Sequence, residues 1–210
     1  MGQYYTPVFE RNGQLSALKG NLLHDWPGAK LMEHSYFKNE LICAVANLIY
    51  KKPTKLVWLG DYGENDIKNR FPDSPLDKIE CNLDRTKSEN IMKLYAEQDY
   101  PEKITFNFVN KWFVNHDAKV AISFNDYLTL CQQHMPKEDY GWEISPISLL
   151  TAAGCGNGGG DYSQKSVNFD LIGEWTYCTV SIEYELPEGY TVDNTTYFSE
   201  NDPNPVIEEQ

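Results

Sequence analysis

Five of the seven residues from Gly154 to Gly160 are glycine, in the order Gly-Cys-Gly-Asn-Gly-Gly-Gly, with Asp161 and Tyr162 directly after. Glycine loses more backbone freedom on folding than any other residue, so such a run does not continue a helix or the interior of a strand. The chain must break here, between the apolar stretch Ile144 to Ala153 and a further strand-like stretch. A tight turn, a close approach to a ligand and a slack connection all satisfy that constraint. Gly154, Gly156 and Gly159 fit the spacing G-x-G-x-x-G, but a run this rich meets it almost unavoidably, and no Gly-Lys-Ser/Thr follows. Consecutive bare amides can cradle an anion. Asp161 opposes a phosphate at that place unless a metal intervenes.

The rest of the chain alternates hairpins with short helices. Residues 3–10 read as a strand, and Pro7 places it at an edge or at a strand start. Asn12-Gly13 favours the positive φ angles of a tight hairpin turn, with Leu15 to Leu18 returning. Ser35 is positioned to cap a helix running to Tyr50, with Leu41, Ile42, Val45 and Ile49 at helical spacing and Pro53 beyond its end. Lys55 to Leu59 reads as a strand, residues 64–87 as irregular, and residues 89–98 as a helix. Ile104, Phe106 and Phe108 alternate as on a strand. A second hairpin is expected around residues 115–118, then a helix capped by Asn125. Val167 to Ile172 and Tyr177 to Leu186 complete the strands, and Pro187-Glu188-Gly189 turns the chain. This pattern predicts a single α+β domain over residues 1–198, a mainly antiparallel sheet built from hairpins with two or three helices packed on it. Residues 199–210 read as an acidic, disordered tail.

The formal net charge is −13, and it is concentrated. Between Asp161 and Gln210 eleven acids face one base, Lys165, so −10 belongs to that last stretch. Such a field repels nucleic-acid backbones and attracts basic protein surfaces. Direct nucleic-acid binding is therefore not expected. The five cysteines (43, 81, 131, 155 and 178) never form C-x-x-C and share no ligand spacing with the four histidines. They read as reduced thiols, with no metal and no cofactor implied. No secretory leader and no membrane-spanning run is read from the sequence, which places the expected setting in the cytoplasm.

Two loops share a local pattern. Gly60-Asp61-Tyr62 and Gly160-Asp161-Tyr162 each put an acid and a tyrosine past a strand end. If they meet, Asp61 and Tyr62 would join Gly156, Asn157, Gly158, Gly159, Gly160, Asp161 and Tyr162 in a ligand site, with a ring stacking on a base and the glycine amides holding a polar group. Turn formation explains each Asp separately. No Ser/His/Asp or Cys/His set can be assembled from spacing, so no catalytic residue is assigned. His116 and Asp117 read as turn residues.

The opening Met1-Gly2-Gln3-Tyr4-Tyr5, the segment Glu33-His34-Ser35-Tyr36, the segment Trp58 to Tyr62, and the loop ending Gly158 to Tyr162 together resemble an uncharacterised group of short bacterial and phage proteins. The resemblance implies a cytoplasmic setting on a mobile element and carries over no catalytic residue. The leading expectation is a phage-like accessory protein, without catalysis, that engages or inhibits a host protein through an acidic, Tyr-rich surface. The alternative is a nucleotide-like small molecule, sequestered or hydrolysed at the glycine loop. A homo-oligomer pairing through the Pro7 strand is the third.

Overall fold

The computed structural model describes residues 3–18, 30–60, 104–134, 143–155, 161–162, 167–195 and 197. The predicted segments 64–87 and 89–98 and the tail 199–210 lie outside the described residues, as do Asp61, Tyr62 and Gly156 to Gly160.

The first hairpin joins β1 (Tyr5–Arg11) to β2 (Gln14–Ala17). Its turn has φ of 50° at Asn12 and 73° at Gly13, the two positive angles that bring a right-twisted strand pair back on itself. β1 is not an edge. It also pairs antiparallel with β3 (Thr54–Gly60), from Tyr5 opposite Gly60 to Glu10 opposite Lys55. Pro7 is tolerated inside the sheet for a simple reason. Its carbonyl accepts from Leu18 N–H at 2.9 Å, so its missing donor faces β2, whose ladder with β1 begins only at Val8. The Pro7 strand is thus already paired on both sides.

The predicted long helix is split. A short α1 (Leu31–His34) comes first, and Ser35 closes it rather than opening the next. Asn39 caps α2 (Glu40–Ile49), its side chain accepting from Leu41 N–H at 2.9 Å. α2 buries Leu41, Ile42, Val45 and Ile49, the stripe read from the sequence. The second hairpin is β4 (Trp112–Asn115) and β5 (Val120–Ser123), closed by the Asn115 side chain, which accepts from the amides of Asp117 and Ala118. Ser123, not Asn125, receives the Asp126 amide at the start of α3 (Phe124–His134), while Asn125 pairs with Asn110.

Three strand expectations are corrected. Residues 104–108 alternate inward and outward as expected but join no ladder, lying instead against α2, where Asn47 donates to Thr105 O at 3.0 Å. The stretch Ile144 to Ala153 is mostly helix. Ser145 caps α4 (Pro146–Thr151), Pro146 occupies its first turn, and only Ala152–Ala153 form strand β6. Likewise Phe169–Leu171 is a single 3₁₀ turn. β7 (Thr179–Glu183) and β8 (Thr191–Val192) complete the sheet.

Among the described residues the sheet has eight strands, in the order β2-β1-β3-β7-β4-β5-β8 with β6 attached to β3. The pairs are antiparallel except β3–β6 and β5–β8. The architecture is a single α+β domain. α2 packs on β7 and on α4, and α4 packs on β3. Their shared core is rich in aromatic rings. Phe37 meets Phe108 at 4.9 Å between centroids, Phe124 meets Phe108 at 5.1 Å, and Phe113 meets Trp175 at 5.1 Å. A smaller apolar cluster of Val8, Ala17, Val57, Leu59 and Ala153 lies on the other sheet face.

Phe124 is fully buried and touches Phe37, Phe108 and Phe113. Phe124→Ala is expected to destabilise the domain by about 3–5 kcal/mol, read as a lowered urea midpoint.

Candidate functional site

β3 and β6 run parallel, Trp58 beside Ala152 and Leu59 beside Ala153. The chain therefore leaves both strands at one corner, at Gly60 and Gly154. β1 enters the sheet at that corner through Tyr5, opposite Gly60. The two Gly-Asp-Tyr segments thus begin or end near the same place, although Asp61, Tyr62, Gly156, Asn157, Gly158, Gly159 and Gly160 lie outside the described residues.

Of the residues singled out by sequence, Asp161 and Tyr162 are described. Asp161 Oδ1 accepts from the Tyr5 hydroxyl at 2.8 Å. Burial, then the neighbouring Cys155 and Asp161, push the Tyr5 phenol far above its ordinary value, so it stays a donor. Tyr162 is 3% exposed, and its hydroxyl donates to Ser35 Oγ at 2.8 Å. Ser35 spends its own proton on Leu31 O, which fixes that direction. Ser148 Oγ stands 3.0 Å from the same hydroxyl. Tyr162 is thus an anchor that ties the end of the glycine loop to α1 and α4.

Gly60 is required at this corner. A Cβ there would lie 2.1 Å from Gln3 Nε2, 2.9 Å from Tyr5 Cε1 and 3.0 Å from Ala153 O. Gln3 itself is 0% exposed. Among the described residues neither of its carboxamide atoms has a hydrogen-bond partner. A polar side chain drew no attention in the sequence, and nothing in its pattern signals burial.

A second polar array crosses the opposite end of the sheet. Ser181 Oγ donates to Glu183 Oε1 at 2.5 Å. Having spent its proton, Ser181 accepts from His116 Nε2–H at 2.8 Å. Nδ1 is then bare and accepts from the Tyr190 hydroxyl at 2.9 Å. The relay runs Tyr190 to His116 to Ser181 to Glu183 and holds His116 neutral. Burial keeps its pKa below the usual value, against the opposing pull of Glu183 and Asp117. His116 reads from sequence as a turn residue only, because its partners lie 65 and 74 positions away. The relay fastens the segment after β7 to the β4–β5 turn.

That segment lines two adjoining concavities that share Ser123. One, of about 320 Å³, has Lys111, Trp112, Tyr184 and Glu185 in its wall. The other, of about 260 Å³, is lined by Asp126, Leu130, Val192 and Asp193 among others. Tyr184 is 57% exposed, and Leu130 and Val192 are each 37% exposed. Among the described residues no base lies within ion-pair distance of Asp126, Glu185 or Glu188, and the ion pairs formed are Lys30–Glu33 and Lys55–Glu10. The Lys111 ammonium sits 5.6–5.9 Å from the ring centres of Phe106, Tyr184 and Tyr50.

Among the described residues no group of three His, Cys, Asp or Glu is placed to hold a metal, and no helix is long and apolar enough to cross a membrane. No protein-family model matches the chain, and no match is found among curated proteins or among solved structures.

Two outcomes follow from this geometry. Gly60→Ala is expected to cost about 1–3 kcal/mol by overpacking, with partial rescue when Gln3 is shortened to Ala, read from paired urea midpoints. Unfolded His116 takes up its proton near pH 6.5, the folded side chain only at lower pH. Its contribution to stability is therefore complete above pH 6.5 and declines as pH falls below it. His116→Gln is expected to flatten this part of the profile, measured as the difference in urea midpoint between about pH 7.5 and about pH 5.5.

Proposed function

We propose that the protein is a phage-like accessory factor of the cytoplasm that engages or inhibits a basic host protein without catalysis. The observation that supports this reading is the pair of concavities meeting at Ser123, with exposed Tyr184, Leu130 and Val192 beside the acids Asp126, Glu185 and Asp193. Concave, partly apolar surface supplies burial, and acids without a paired base supply attraction to a cationic partner. Among the described residues Tyr184 is exposed, whereas Tyr5, Tyr127, Tyr162 and Tyr197 are buried. The formal charge of −13 adds long-range steering toward a basic surface and away from nucleic acid.

A second reading, a small nucleotide-like ligand at the glycine corner, is favoured by the parallel exit of β3 and β6 and by the buried, unpartnered Gln3.

Affinity capture from host lysate tests the first reading. Wild type is expected to retain a basic protein that elutes as salt rises, and reversal of Asp126, Glu185 and Asp193 to Lys is expected to weaken that capture about tenfold or more. Equal capture by wild type and the triple variant would contradict it.

A further inference from the structure

A buried hydroxyl stands in the wall of the concavity between α3 and the segment after β8. This space of about 260 Å³ is lined by Asp126 and Leu130 of α3, by Val192 and Asp193, and by Tyr197, which is 2% exposed. The Tyr197 ring packs edge-on against Tyr127 at 5.0 Å between centroids, and its hydroxyl has no hydrogen-bond partner among the described residues. Buried polar atoms are satisfied with few exceptions, so a bare hydroxyl in the wall of a cavity calls for a specific account. Burial, then Asp193 and Glu174, hold this phenol far above its ordinary value, so it is a neutral hydroxyl in a negative field. Asp126 and Asp193 add two carboxylates, and among the described residues neither lies within ion-pair distance of a base. The Thr195 N–H donates to Asp193 Oδ1 at 2.9 Å, which orients that carboxylate. Leu130 lies one helical turn from Asp126, and Val192 is next to Asp193, so apolar wall accompanies both acids.

We propose that this concavity receives a single arginine side chain of the basic partner, with Asp126, Asp193 and the Tyr197 hydroxyl as its acceptors. This rests on the first reading above. Arginine joins an apolar stem, which Leu130 and Val192 can cover, to a charged head. A lysine ammonium brings three donors at one point. The guanidinium spreads five over a plane, which suits acceptors carried by two different elements. Sites for drug-sized ligands span about 300–1,000 Å³, so this smaller space suits one side chain rather than a cofactor. The chain's own residues 198–210 hold four acids and no base, so like charge opposes them as the occupant.

The test uses ¹⁵N-labelled full-length protein and three probes, the N-acetyl methylamides of arginine, lysine and citrulline. Citrulline keeps the shape of arginine without its charge. The expected result is saturable shifts of the Asp126, Leu130 and Asp193 amides with arginine, binding of lysine about fivefold weaker, and no saturation with citrulline. Tyr197→Phe and Asp126→Asn are each expected to weaken arginine binding about fivefold or more. Tyr197→Phe is expected to leave the urea midpoint unchanged or raised, because an unsatisfied hydroxyl is removed. Silence of these amides toward arginine overturns the proposal, as does equal binding of lysine or citrulline, or wild-type affinity in both variants. Shifts of the same amides on raising the protein concentration alone would assign the concavity to a second copy and overturn it as well. If arginine is silent while salt-sensitive capture of a basic host protein persists, the arginine pocket fails and the wider reading stands. If that capture is also missing, both fail.

Discussion

β3 carries two different strands on one edge. Its first residues, Thr54 and Lys55, pair antiparallel with β7, and Trp58 and Leu59 pair in parallel with β6. A strand offers each edge once, so the two partners must diverge along it. β7 turns away to carry β4, β5 and β8, whereas β6 stops after two residues and releases the chain at Gly154. Everything of functional interest follows from this division. One end of β3 becomes the glycine corner. The other leads through β7 to the surface around Ser123.

The two ends treat polar groups differently. Toward Ser123 one polar relay is directional, while the buried Tyr197 hydroxyl lining the same concavity has no hydrogen-bond partner among the described residues. The Tyr190–His116–Ser181–Glu183 relay gives each hydrogen one acceptor and fixes the segment that carries Tyr184 and Glu185. A rigid surface loses little further freedom on association, which favours binding for a given contact area. At the glycine corner Tyr5 and Tyr162 are anchored to Asp161, Ser35 and Ser148, whereas Gln3 has no hydrogen-bond partner among the described residues.

Local signals were the ones the sequence made legible. Asn12-Gly13 and Asn115 dictated their turns because each acts within a few residues. The α2 stripe was plain because a helix repeats its face. Ser35 misled because two capping residues, Ser35 and Asn39, stand a turn apart, and contacts to Leu31 and Tyr162 claim the first. The alternation of Ile104, Phe106 and Phe108 reported burial correctly and pairing not at all, since period two needs only one buried face. Ser145-Pro146 was a readable helix start hidden inside an apolar run. The β3–β6 contact, the burial of Gln3 and the His116 relay join residues far apart in the chain, and no local pattern encodes them.

Under the proposed function, a basic partner meets this protein at the surface around Ser123. Hydrogen–deuterium exchange of the protein alone and with a captured basic host protein tests this most directly. Protection confined to residues 109–112, 123–130 and 184–194, with exchange at residues 152–162 unchanged, is the predicted result. Protection centred on residues 152–162, with the Ser123 surface exchanging as in the free protein, would contradict it.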